Sequence, residues 1–392
     1  MSFAGNDYLS PAQECTIPII NIEDPTVGEI KIHSRQRKKS TEEKPDLTAI
    51  QINLKDCLAC SGCVTSAETV LINRQSSEQF LAEVSSGSVV SISSQSIASI
   101  ASFFKLSYSS TYRKLFNFFT SLGAKSFLST DNGQRISSIL TAREFLSNIE
   151  RYSTSQPFIT SSCPAVVCFI EKTADTLIPS LGSTYSPMSV TGAEFEKHVS
   201  VQPCFDRKLE AARDQLSNHT SSVLSTKELI ILLEQRSFLE YNESDIDVPA
   251  PASGSTGNYI EYIIRELQEE DPYLTFEIGP GRNKDVTIFK VTSSKYGQLQ
   301  FSRMTGYRNI QNLQRRIRNS INEDIFIELF ACPSGCTHGG AQMNADSALE
   351  MLQALWQDTP VEIPEKALTI DYQSCERPPK DSEFSTAVVL DW

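Results

Sequence analysis

The 392-residue sequence is short of positive charge. Its 35 lysines and arginines stand against 48 aspartates and glutamates, a net charge of −13. A surface of that sign cannot neutralise a phosphate backbone, which argues against a nucleic-acid partner. Long hydrophobic runs are missing too. No apolar stretch approaches a membrane span, and Met1 to Pro11 lacks the basic-then-apolar pattern of a secretory leader. The expectation is a cytoplasmic protein with no membrane association and with reduced thiols. No Gly-Lys-Ser/Thr phosphate loop, no His-Glu-x-x-His and no Gly-x-Ser-x-Gly occurs, so nucleotide hydrolysis and the commonest hydrolase chemistries have no support.

Cysteine is what the chain does have. In a reducing compartment ten cysteines do not read as a disulfide framework, and close-set groups of them point to metal. Cys57, Cys60 and Cys63 form a tight run, Cys332 and Cys336 a pair, and Cys15, Cys163, Cys168, Cys204 and Cys375 are scattered.

Between these groups, short β-rich runs alternate with helical segments, the pattern of an α/β protein with largely parallel sheets flanked by helices. Residues 88–93 and 285–291 read as strands. Ser225 with Glu228 reads as a capping box opening an apolar helix, and residues 253–258 as a loop opening another, with a tight turn and capping hydroxyl preferred over an anion cradle. The polar stretch 33–46 reads as a solvated loop. Three regions are expected: a cluster-binding segment over 1–75, a large α/β domain over 76–375, and a tail over 376–392.

In the run Cys57-Leu-Ala-Cys60-Ser-Gly-Cys63, two residues between successive thiols let one loop wrap three corners of a cubane cluster, with Gly62 easing the curl. A four-thiolate zinc site is the alternative, but zinc ligands usually fall in two separated pairs. No further cysteine follows closely, so the fourth ligand must lie elsewhere. Cys15 is the nearest candidate, with an ordinary buried thiol as the other reading.

Cys163 follows the strand-like Phe158-Ile159-Thr160, Cys204 follows Val199-Ser200-Val201, and Cys332 with Cys336 follows 325–330. Ligands of parallel α/β sheets bind beyond the carboxyl ends of strands, so these four thiols are placed to converge on a second cluster. Singly, Cys163 or Cys204 is more often a small core residue. Cys168, in an apolar run, is expected in the core. Cys375 has no evident partner, and His338 reads as a solvated or capping side chain rather than a proton donor.

The motifs Thr160-Ser161-Ser162-Cys163-Pro164, Gln202-Pro203-Cys204-Phe205-Asp206-Arg207-Lys208-Leu209-Glu210 and Ala331-Cys332-Pro333-Ser334-Gly335-Cys336-Thr337-His338-Gly339-Gly340 resemble the iron-only hydrogenases. The likeness is closer still to the eukaryotic hydrogenase-like family of cytosolic iron–sulfur protein assembly factors, related to nuclear prelamin A recognition factor. That family's start resembles the segment from Tyr8 to Cys15, and its first cluster the segment from Asp56 to Glu68. The resemblance implies two 4Fe–4S clusters, with Cys15 completing the first. It implies a carrier or adaptor between early cluster scaffold proteins and a late targeting complex, rather than an enzyme, located in the cytoplasm and extending to the nucleus. Ser162 stands where hydrogenases have a proton-relaying thiol, Arg207 where they have a lysine and Gln202 where they have a methionine, so hydrogen turnover is not expected. Arg207 and Ser334 also depart from the assembly family. An electron-transferring oxidoreductase is the alternative.

The chain ends Leu390-Asp391-Trp392. A terminal tryptophan beside two carboxylates offers a partner an apolar anchor and a charged handle, or else packs on its own domain. The tripeptide resembles the signal that engages the cytosolic iron–sulfur targeting complex, with its WD-repeat propeller subunit as the implied partner.

Overall fold

Serine opens the first of the described helices. In the computed structural model, which describes residues 71–356 apart from 214, 215 and 217, helix α1 (Ser77–Ser85) is capped by Ser76, whose hydroxyl accepts from the Gln79 amide. After strand β1 (Val89–Ile92), Ser93 caps α2 (Ser94–Phe104) and Ser107 caps α3 (Tyr108–Ser121) in the same way. Each cap satisfies an otherwise orphaned first-turn amide and is worth about 1 kcal/mol.

Strand β2 (Ser126–Ser129), helix α4 (Asp131–Ser147), strand β3 (Phe158–Thr160), α5 (Pro164–Thr173) and α6 (Pro187–Gly192) follow. Pro164 and Pro187 sit in first turns, where a missing amide costs nothing. Next come β4 (His198–Gln202), α7 (Asp206–Ala211) and β5 (Ser222–Ser225). The expected capping box is present: the Ser225 hydroxyl accepts from the Glu228 amide, and the Glu228 carboxylate takes the Ser225 amide, starting α8 (Thr226–Gln235). The remainder runs α9 (Tyr259–Glu270), β6 (Thr275–Pro280), β7 (Val286–Ser293), β8 (Gly297–Thr305), α10 (Tyr307–Arg318), β9 (Phe326–Phe330) and α11 (Ala345–Leu355).

These strands form two sheets. The first, in order β2-β1-β4-β5, is parallel throughout. The second, in order β3-β9-β8-β7-β6, is parallel across β3, β9 and β8 and antiparallel across β8, β7 and β6. The expected α/β architecture is therefore present, with an antiparallel margin added. That margin arises locally: the Ser293 hydroxyl takes the amides of Lys295 and Tyr296, and Gly297, at φ +73°, completes a tight reversal that cannot support a crossover.

Each sheet has its own core. Phe80, Phe118, Phe119, Phe127, Leu229 and Leu233 pack on the first. Phe145, Phe158, Ile263, Phe301 and Phe326 pack on the second, with Phe158 and Phe326 stacked across paired strands at 5.3 Å. Each such side chain contributes roughly 1.5–3 kcal/mol by leaving water. Inside the first sheet, Ser91 meets Ser200 at 2.8 Å and the His198 Nε2 at 2.8 Å.

Candidate metal centre

All three cysteine-bearing segments leave strands at their carboxyl ends. Cys163 lies between β3 and α5, Cys204 between β4 and α7, and Cys332 and Cys336 just beyond β9. The strands do not share a sheet, however. β4 belongs to the first and β3 and β9 to the second, so the four thiols converge from both. Local hydrogen bonds aim them. The Ser161 hydroxyl donates to the Leu329 carbonyl at 2.6 Å and accepts the Cys163 amide at 3.1 Å, tying the first loop to β9. The Ala341 amide donates to the Pro203 carbonyl at 3.2 Å, tying the loop of Cys204 to the one after Cys336. At Gly339 a Cβ would stand 2.4 Å from that same carbonyl, so only glycine allows the approach.

Cys163, Cys204 and Cys332 are buried, Cys336 is half-buried, and all four are free thiols. They interact electrostatically with one another: Cys332 with Cys163, Cys336 and Cys204, and Cys204 with Cys163 and Cys336. Burial pushes the Cys163 thiol up to about 12, with Cys336 adding to the shift. Burial likewise raises Cys204, Cys332 and Cys336, the last opposed by a hydrogen bond from Thr256 and by Arg207. Such thiols stay protonated until a metal displaces the proton. Among the described residues no three His, Cys, Asp or Glu side chains gather tightly enough for one metal ion. Four soft donors from three loops, near enough to interact electrostatically, fit an iron–sulfur cluster, which is larger than a single ion.

The departures from the hydrogenase motifs each have their own partners. The Arg207 Nη1 meets the Glu210 carboxylate at 2.5 Å, with both side chains buried, and Glu210 also accepts from Ser186 and, at 2.9 Å, from Ser189. Burial opposes the charge on Arg207, but Glu210, Cys204 and Cys336 outweigh it and hold the guanidinium protonated. Gln202 turns its amide to the Ser200 hydroxyl at 2.8 Å. Buried Ser162 hydrogen-bonds to the Tyr259 hydroxyl, which also meets Ser137 at 3.2 Å. Ser334 adopts a left-handed φ of 59°, its amide donating to Asp285 at 3.3 Å.

Some features were not foreseen. Buried Lys208 pairs with Glu228 at 2.7 Å and reaches the Gln75 carbonyl at 2.8 Å, so the capping carboxylate of α8 serves a second partner. A buried ammonium needs such a counter-charge, and nothing in the charged run from Asp206 to Glu210 marks this one in the sequence. Cys168 is half-buried rather than in the core, and Arg213, bound to Glu171, donates to its sulfur at 3.3 Å. The loop 253–258 supplies no side-chain cap to α9, its hydroxyls turning instead to the Cys332–Cys336 turn. His338 lies 3.2 Å from Thr337 and from Asp346. Cys15, Cys57, Cys60, Cys63, Cys375 and Leu390, Asp391 and Trp392 lie outside the described residues.

Fold and site together define a hydrogenase-like α/β protein with a thiol centre. Residues 87–340 match the family described as "Iron only hydrogenase large subunit, C-terminal domain". An FeFe-hydrogenase from Chlamydomonas reinhardtii has the same fold, with a TM-score of 0.60 at 20% identity, covering 71% of this chain and 88% of that one. Among curated relatives, a probable cytosolic Fe–S cluster assembly factor of Brugia malayi is 33% identical, covering 92% of this chain and 85% of its own. Cytosolic iron-sulfur assembly component 3 of Rattus norvegicus is 31% identical, covering 92% and 88%. Protein NAR1 of Arabidopsis thaliana is 32% identical, covering 89% and 85%. The chain belongs to the iron-only hydrogenase-like family of cytosolic iron–sulfur assembly factors.

Proposed function

We propose that this protein binds two 4Fe–4S clusters and acts in the cytoplasm, and in the nucleus, as a carrier or adaptor between early cluster scaffold proteins and the late targeting complex. The observation that carries this reading is the convergence of Cys163, Cys204, Cys332 and Cys336 from two sheets onto one buried site. These four would hold the second cluster, and Cys15, Cys57, Cys60 and Cys63 the first. The names of the relatives support a place in cytosolic cluster assembly. Leu390, Asp391 and Trp392 would engage the propeller subunit of the targeting complex.

The role is not that of an enzyme. Proton delivery at the second site would need an acid where Ser162 stands, and a serine hydroxyl is a far poorer one than a thiol. Arg207, committed to Glu210, cannot release a proton either. Electron transfer through the clusters is the second reading, favoured by the hydrogenase fold.

Iron and acid-labile sulfide analysis with EPR on anaerobically purified protein tests the proposal. Two cubane clusters per chain are expected, and C204A or C332A should remove about half of the iron and sulfide, in line with four thiolates per cluster. Zinc without labile sulfide would sink it. Hydrogen evolution with a strong reductant would overturn the non-enzyme assignment.

A further inference from the structure

The loop 252–258 is anchored to both halves of the described fold. On the first-sheet side, the Asp131 carboxylate accepts the Ala252 amide at 2.8 Å and the Gln95 side chain donates to the Ser255 carbonyl at 2.9 Å. On the second, the Glu328 carboxylate at the heart of β9 accepts the Asn258 amide at 3.0 Å while pairing with Arg303 at 3.0 Å. The Trp356 indole donates to the Ala252 carbonyl at 3.2 Å. So held, the loop lies directly against the Cys332–Cys336 turn.

Two glycines permit this contact. At Gly257, with φ +72°, a Cβ would fall 1.6 Å from the Glu328 Oε1. At Gly335, with φ +89°, it would fall 2.6 Å from the Ser255 Oγ and 2.7 Å from the Thr256 Cγ2. With both side chains absent, the Ser255 hydroxyl donates to the Ser334 carbonyl at 2.9 Å, and the buried Thr256 Oγ1 comes to 3.0 Å from the Cys336 Sγ. A thiolate has no proton to give, so once Cys336 is a ligand the hydroxyl of Thr256 must be the donor.

We propose that Thr256 is a positioning residue that donates a hydrogen bond to the Cys336 thiolate and raises the reduction potential of the cluster held there. This rests on the reading of Cys336 as a cluster ligand. A hydrogen bond to a ligand sulfur draws charge off it, which favours the reduced, more negative state. The bond is stronger to the more negative, reduced state, and the expected effect is a tenfold bias between oxidation states.

The test is an EPR-monitored redox titration of the full chain with both sites loaded. T256V keeps the shape and loses the donor; it should keep its iron and sulfide while the second cluster's midpoint falls by about 59 mV, a tenfold change in the reduced-to-oxidised ratio. T256S should restore the wild-type midpoint. S255A, which removes a hydroxyl from the same loop but not from a sulfur, should leave it unchanged. A wild-type midpoint in T256V, or an equal fall in S255A, would overturn the proposal. If T256V does not accumulate, T256A, with no hydroxyl and less bulk, takes its place and should show the same fall. Failure of the underlying reading looks different: C336A would then leave iron and sulfide at the wild-type level.

Discussion

Arg207 and Glu210 form an ion pair one helical turn apart at 2.5 Å, both buried, beside Cys204. The acid is held from a second side by Ser186 and Ser189 of α6 and its preceding loop, so the pair joins two elements that flank the site.

Removing Glu210 would leave the guanidinium buried without a counter-charge. E210A is expected to cost about 3–5 kcal/mol in denaturant unfolding. R207M should cost less, since the Ser186 and Ser189 hydroxyls still serve the carboxylate. Equal losses would contradict this asymmetry.

Gly257 and Gly254 lie three residues apart in one loop with opposite tolerances. G257A adds a methyl 1.6 Å from the Glu328 Oε1 at a left-handed φ, whereas at Gly254 the nearest atom would be 3.5 Å away. G257A should lose at least about 2 kcal/mol of stability. G254A should change it by no more than about 0.5 kcal/mol. Thermal unfolding of the two variants in parallel checks the contrast.

His198 is a buried, neutral imidazole. Burial pushes its pKa down to about 4, against the pull of its bond to the His219 carbonyl. The unfolded chain titrates this group near 6.5, so between pH 6.5 and 4 the unfolded state binds more protons. Stability from this group is complete above pH 6.5 and is lost as pH falls to 4, by roughly 3 kcal/mol. H198Q should be less stable at pH 7 and should lose less between pH 6.5 and 4.5. Parallel slopes for wild type and variant in urea unfolding would refute it.

The proposed recruitment signal can be separated from cluster binding. Deleting Leu390 to Trp392 should abolish pull-down of the targeting complex and leave the iron content unchanged. Retained pull-down would remove the tripeptide from the function.

Much of the candidate metal centre was legible in one dimension. The strands ahead of Cys163, Cys204 and Cys332 announced themselves as β-rich runs ending in loops, and residues 158–160, 198–202 and 326–330 are strands. The capping box at Ser225 could be read because its two hydrogen bonds join residues three apart. Local hydrogen bonds and hydrophobic period depend on neighbours in the chain, so they leave a mark in it. The hydrogen bond to Cys168 left none, since Arg213 reaches it from 45 residues away.

By itself, then, the sequence determined the strand ends that carry the proposed donors and the family to which the chain belongs. Only the tertiary structure decided that the donors come from two sheets rather than one, that Arg207 is neutralised by Glu210, and that Thr256 lies on the Cys336 sulfur. The reason is physical. Caps, turns and strand period are settled by short-range sterics and hydrogen bonds, whereas the meeting of residues 256 and 336 follows from how two cores pack, a sum over contacts that no local pattern records.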